Sequence, residues 1–218
     1  MSPTRGVIGV IAKAPLAGEV KTRLCPPLTH AEAAGVAGAL LDTLGNARAT
    51  GHTVCCVHAG PASALLPHTD GAPLLAQRGR GLAQRLAAAQ EDLHAAGHQR
   101  VLLLGADCPT VDAAYLDGVL ERLDSVDVVL GAAADGGYTL IASKRVEPAL
   151  FAVQMSTERV LDETRARAAA AGLTVACLPA RHDLDEIDDF AAALAGGQLD
   201  HAPRTRAVVQ RLAALTTP

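Results

Sequence analysis

The stretch IAKAPLAGEVKTRLCPP, Ile11 to Pro27, sets three cations, Lys13, Lys21 and Arg23, around a loop that also carries Pro15 and Gly18. Proline fixes φ and glycine tolerates positive φ, so the chain turns here and can aim all three cations inward, offset only by Glu19. Such a cluster suits a phosphate chain, because ammonium and guanidinium groups make charge-assisted hydrogen bonds to its oxygens worth ~1.5–3 kcal/mol each. A solvated basic turn is the structural alternative. Lys21-Thr22 is not the end of an NTPase P-loop, since Val20 stands where that motif needs glycine. Pro26 and Pro27 also stop a helix from starting at the pair, which removes the helix N-terminus that a P-loop uses.

Carboxylates form the second group. VLLLGADCPT runs an apolar strand into Gly105 and Ala106, small enough for a flat ligand to approach the backbone, and then into Asp107. An acid facing a polyphosphate repels it unless a hard divalent cation lies between, and Mg²⁺ is usually held by one or two carboxylates plus phosphate oxygens. The alternative for Asp107 is a turn residue before Cys108-Pro109. In HDLDEIDD, Asp183 and Asp185 project from one face of an extended segment and invite a cation; an acidic helix start is the competing reading, and the preferred one for Asp188 and Asp189. Asp135 precedes Gly136 and Gly137, which suits a hairpin turn or a backbone approached closely by substrate. Ser156 and Thr157 are N-cap candidates first and anion ligands second. The eight histidines have no metal-ligand spacing, no hydrolase triad emerges, and Cys108 in the crevice is expected to be inert.

The elements that would position these groups alternate. Strands are expected at 6–12, 52–58, 100–106, 126–134, 137–143 and 173–179, and helices at 30–49, 81–97, 111–123, 157–171, 186–196 and 203–215. Repeated βα units require a mostly parallel sheet covered on both faces. Ligands then collect beyond the carboxyl ends of the strands, which selects Lys13, Asp107, Asp135 and Asp183 before any motif is considered.

Composition limits the rest. A chain of 218 residues, half of them apolar and without a low-complexity run, fits a single folded domain over 1–218. A net charge of −4 leaves no basic field for nucleic acid, so the cations of the first loop must act locally. The apolar run of seven residues in MSPTRGVIGVIAKAP is too short to span a membrane and ends without a cleavage signal. Five cysteines without CxxC spacing point to a reduced, cytoplasmic protein, with Cys55 and Cys56 alternating across a strand.

In order and spacing, KAPLAGEVKTRLCPPL, GADCPT, ADGGYTLI, MSTERVL and DLDEIDDF resemble the bacterial GT-A-fold family identified as glycosyltransferases or as transferases associated with radical SAM enzymes. That family is similar to the nucleotidyltransferases of molybdenum cofactor and to phospholactate guanylyltransferase. The resemblance covers nearly the whole chain and implies a single-domain, GT-A-like three-layer α/β sandwich. It implies an enzyme that uses Mg²⁺ or Mn²⁺, a nucleotide-sugar donor and a small-molecule acceptor. The alternatives are transfer of a nucleotide from an NTP to a phosphorylated small molecule, and a nucleotide-binding protein without turnover. By the same resemblance Lys13, Gly18, Lys21, Thr22, Arg23, Gly105 and Ala106 belong to the nucleotide. Asp107, Asp183 and Asp185 belong to the metal, and Asp135, Gly136, Gly137, Tyr138, Ser156 and Thr157 to the acceptor. Lys21, Asp107 and Asp135 would carry the chemistry. The chain departs from the family pattern at Gly81, Ala83, Thr139 and Met155, all at positions expected to meet the acceptor.

Overall fold

The computed structural model describes residues 6–216, with side chains to residue 212. Residues 1–5 and 217–218 of the expected 1–218 domain lie outside it. In chain order the elements begin β1 (Val7–Lys13), α1 (His30–Ala39), α2 (Asp42–Ala49), β2 (Thr53–Ala59), α3 (Ala62–Leu65), β3 (Leu74–Ala76), α4 (Gly81–Ala95) and β4 (Val101–Gly105). They continue α5 (Ala113–Arg122), β5 (Val128–Ala133), β6 (Tyr138–Ser143), α6 (Val160–Ala170), β7 (Val175–Arg181), α7 (Ile187–Ala195) and α8 (Pro203–Thr216).

The strands form one sheet in the order β3-β2-β1-β4-β6-β5-β7, in which only β6 runs against its neighbours. Because β6 is reversed, its first residue lies at the same sheet edge as the last residues of the other strands, and the Asp135–Gly137 turn joins that edge. Side chains alternate across the sheet. Ile8, Val10, Cys56, Leu102 and Leu104 pack with Leu44 of α2 and Leu116 of α5 on one face. Val7, Cys55, Val57, Leu103 and Ile141 pack with Leu86 and Leu93 of α4 and Ala168 of α6 on the other, so the paired cysteines split as expected. This is a three-layer α/β sandwich. A third core joins α1, α7 and α8, and holds Leu24 from the basic loop beside Leu184 from the acidic segment, each 1% exposed.

Several boundaries differ from the sequence expectation for identifiable reasons. The helix expected over 30–49 is two helices, because Asp42, 5% exposed, turns to the start of α8 and accepts hydrogen bonds from Arg204 Nε at 2.7 Å and the Thr205 amide at 2.8 Å. A single 3-10 turn, Thr22–Leu24, does form at the Lys-Thr pair despite the prolines that follow. The three-residue strand β3 was not expected, being too short to show a period. Helix α6 begins at Val160, so Ser156 and Thr157 lie in the preceding loop and are not its N-cap.

Candidate active site

The side chain of Lys21 is the best-anchored cation at the sheet edge. Its backbone sits in the left-handed region, φ 46°, at a cost of ~1–2 kcal/mol for a residue with a Cβ. Its side chain is 10% exposed, and its ammonium donates to the Leu184 carbonyl at 2.7 Å and lies 3.1 Å from Asp185 Oδ1 and 3.6 Å from Asp107 Oδ2. Arg23 pairs with the other oxygen of Asp185. The shared burial of Leu24 and Leu184 brings these partners together across more than 160 residues of sequence. Lys13 is not part of that group: its ammonium donates to the Glu19 carbonyl at 2.8 Å and pairs with the Glu19 carboxylate at 3.7 Å, half exposed. Gly18 turns the loop at φ 80° with open space around it.

Asp107 is held from several directions. Thr43 Oγ1 of α2 donates to the Ala106 carbonyl at 2.9 Å, and Asn46 Nδ2 donates to the Pro109 and Val111 carbonyls at 3.1 and 3.0 Å. The Leu184 amide donates to the Asp107 carbonyl at 2.9 Å, which sets the acidic segment beside the loop after β4. The space at Gly105 is filled by the Asp107 carboxylate itself.

The three acids assigned to metal have different surroundings. Burial opposes the charge of Asp185, but Lys21 and Arg23 outweigh it and hold its carboxyl below the usual range. Burial, and then the charge of Asp107, push the Asp183 carboxyl up. Burial, with the charges of Asp107 and Asp183 behind it, likewise pushes the Cys108 thiol well up, so it stays neutral. Among the described residues no three His, Cys, Asp or Glu side chains stand together as a ready cation cage. Asp107 and Asp183 do face a common space, and two carboxylates there fit a cation completed by phosphate oxygens.

Two cavities meet at Asp107. One, about 270 Å³, is lined by Lys13, Glu19, Lys21, Ala106, Asp107 and Asp185, with Leu40 and Leu41 behind them. The other, about 300 Å³, lies across the sheet edge and is lined by Gly105, Asp107, Asp135, Gly137, Tyr138, Ser156, Thr157 and Asp183. Thr22 and Arg23 line neither. Gly136 is shut behind the turn, where a Cβ would stand 2.1 Å from the Glu158 carbonyl oxygen. Asp135 Oδ1 accepts from the Gly137 amide at 2.9 Å, and Ser156 takes φ 62°. Thr139 and Met155 line the second cavity; Gly81 and Ala83 do not, but Leu82 between them does. Ile11, Leu82, Leu86 and Val160 complete its apolar wall and escaped the sequence reading, because on an amphipathic element they look like core.

The fold has counterparts. A protein from Desulfovibrio desulfuricans G20, provisionally assigned as a nucleotide-diphospho-sugar transferase, superposes with a TM-score of 0.89 at 25% identity over 96% of each chain. CMP:2-keto-3-deoxy-manno-octonic acid synthetase in complex with CTP shares the fold at 11% identity, TM-score 0.58, over 91% of this chain and 99% of its own. Rv0371c from Mycobacterium tuberculosis H37Rv, in complex with manganese, shares it at 20% identity, TM-score 0.55, over 87% of this chain and 98% of its own. No curated protein matches the sequence. No helix among the described residues is long and apolar enough to cross a membrane. Residues 40–157, more than half of the sequence and the part that contains β4, Asp107 and the Asp135–Gly137 turn, match the family described as an uncharacterized protein conserved in bacteria, DUF2064, and the chain belongs to that family.

Proposed function

We propose that the chain is a divalent-metal-dependent transferase that moves a sugar from a nucleotide-activated donor to a small-molecule acceptor. The observation that carries this reading is the position of Asp107 in the wall between a cavity with two lysines among its acids and a cavity whose charged residues are all acids. The donor's phosphates lie on the side with the two lysines, against Lys21 and Lys13, with Arg23 behind Asp185. Asp107 and Asp183 hold Mg²⁺ or Mn²⁺, which when bound neutralises charge on the leaving phosphate. Asp185 orients Lys21 and Arg23 through its two oxygens.

In transfer, the acceptor oxygen forms a bond to the anomeric carbon as the bond from that carbon to the phosphate oxygen breaks. The electron pair leaves with the nucleoside diphosphate, and Asp135 takes the acceptor's proton. Charge grows on the leaving phosphate, so Lys21, already fixed in place, stabilises the transition state more than the ground state. The nucleotide-diphospho-sugar transferase neighbour and the manganese complex of another neighbour support this reading.

Nucleotidyl transfer, attack on the α-phosphorus of an NTP with release of diphosphate, is favoured by the Lys21-Thr22-Arg23 loop and by the CTP complex of the synthetase neighbour. Calorimetry with NTPs and nucleotide sugars, with and without Mg²⁺, separates the two. Tighter metal-dependent binding of nucleotide sugars, with nucleoside diphosphate as product, is expected; triphosphate preference with diphosphate release selects nucleotidyl transfer. No metal-dependent binding of either class would leave a protein without turnover. Asp107→Asn is expected to abolish the metal-dependent part, and unchanged binding would remove the metal assignment.

A further inference from the structure

The cavity on the Asp135 side is built against anions. Among the described residues its lining carries three carboxylates, Asp107, Asp135 and Asp183, and no lysine, arginine or histidine. Lys21 lines the other cavity, beyond Asp107, and does not line this one. In the metal-free chain a phosphate or carboxylate entering here would meet like charges with no partner. With a divalent cation on Asp107 and Asp183, the donor's own phosphates meet the metal's charge. In both states the cavity offers an incoming anion no cation of its own, which is how a site rejects a ligand it could otherwise hold.

Carboxylates accept hydrogen bonds and cannot donate them, so a ligand that satisfies this polar side must bring its own donors. The remaining wall is apolar. Leu82 is 45% exposed at the start of α4, and with Leu86, Met155 and Val160 it adds an apolar surface to the same lining. A large aliphatic side chain left uncovered at the mouth of a cavity is more informative than the same residue in a core. The volume, about 300 Å³, is at the small end of small-molecule sites.

We propose that this cavity takes an uncharged or cationic amphiphile, an alcohol or amine on a short apolar body, and rejects phosphorylated and carboxylated compounds. That this ligand is the acceptor rests on the transferase reading above; the chemistry of the cavity does not. The binding preference is amine over alcohol over phosphate ester.

The test uses three probes of one skeleton, hexylamine, hexanol and hexyl phosphate, titrated against the full chain by ligand-observed NMR, first in EDTA and then with Mg²⁺ and a nucleotide sugar. Hexylamine is expected to bind at least tenfold more tightly than hexyl phosphate. Leu82→Arg, a change at an exposed position, is expected to shift the ratio of the two affinities toward hexyl phosphate by tenfold or more. Hexyl phosphate binding as well as hexylamine to the wild-type chain overturns the proposal, as does the absence of hexylamine binding at 50 mM, roughly fifty times a millimolar Kd and beyond any useful affinity. Nucleotide titration of the same samples reports on the transferase reading separately. Amine preference without nucleotide binding keeps the cavity chemistry and removes the transferase; nucleotide binding with phosphate preference does the reverse.

Discussion

The carboxylate of Asp107 occupies the space that a side chain at Gly105 would need, a Cβ there standing 2.5 Å from Asp107 Oδ1. No backbone atom lies comparably close; the Thr139 carbonyl oxygen is 3.8 Å away. Glycine at the end of β4 therefore serves the acid two residues later. Gly105→Ala is expected to change stability by no more than about 1 kcal/mol, since only the carboxylate must move. Metal-dependent nucleotide binding is expected to fall tenfold or more, because a displaced ligand of about 1 Å is costly to a preorganised site. Denaturant unfolding and calorimetry on one sample check both halves, and unaltered binding would show that Asp107 does not need that position.

Gly136 is the opposite case. Its φ is +86°, and a Cβ would stand 2.1 Å from the carbonyl oxygen of Glu158, which is backbone and cannot swing aside. Its own carbonyl accepts from the Leu161 amide at 3.0 Å and so ties the turn to the start of α6. Gly136→Ala is expected to cost about 3 kcal/mol or more, as overpacking and a forbidden backbone angle add. A wild-type denaturation midpoint would contradict the closeness of that turn to the loop before α6.

Much of this was legible in the chain. Short apolar runs ending in glycine or acid marked strand ends, and the sheet rule placed Asp107, Asp135 and Asp183 at one edge before any motif was weighed. The ranking of the cations was not legible. Lys13 and Lys21 are the same residue type in one loop, and only the joint burial of Leu24 and Leu184 turns Lys21 to the acids while Lys13 folds back on Glu19. The break between α1 and α2 was hidden because its cause, the pairing of Asp42 in α2 with Arg204 at the start of α8, joins residues 162 apart in the sequence. Leu82 gave no signal, since an apolar residue at helical spacing reads as core until the space beside it is seen.

Asp183 and Asp185 are two residues apart and carry opposite pH signatures. The Asp183 carboxyl is pushed up in the folded chain by burial and then by Asp107, so its ionisation opposes folding. That penalty is absent below the unfolded value of ~3.9 and grows as pH rises through the folded one. Asp183→Asn is expected to stabilise the chain at pH 7.5, without divalent ions, by about 0.5–2 kcal/mol, and to have no such effect at pH 3. The Asp185 carboxyl is held down despite its burial, so its contribution is present above the unfolded value and is lost as pH falls through the folded one. Asp185→Asn is expected to destabilise at pH 7.5 and to approach the wild type in acid. Chemical denaturation of the three proteins at both pH values decides the matter; the same sign for both variants would contradict the separate surroundings of the two acids. Mg²⁺ is expected to narrow the gap between the wild type and Asp183→Asn, since a ligand that needs Asp183 stabilises only the wild type.

Asn46 is buried on α2, and its amide donates to the carbonyls of Pro109 and Val111 at 3.1 and 3.0 Å. Those two carbonyls belong to the loop that presents Asp107. Asn46→Leu keeps a similar volume but leaves both acceptors unpaired away from water, at an expected cost of about 2–4 kcal/mol. Thr43→Val, which removes the donor to the Ala106 carbonyl at 2.9 Å, is expected to cost about 1–2 kcal/mol, because one loop acceptor is orphaned instead of two. Stability alone would not separate a loose loop from a generally weakened fold. The Leu184 amide does, since it donates to the Asp107 carbonyl at 2.9 Å and reports the junction of loop and acidic segment directly. In Asn46→Leu its hydrogen exchange is expected to quicken more than that of amides in the β4–β6 ladder under conditions where local opening dominates. Equal acceleration at both places would mean that Asn46 supports the fold as a whole and has no particular part in holding Asp107.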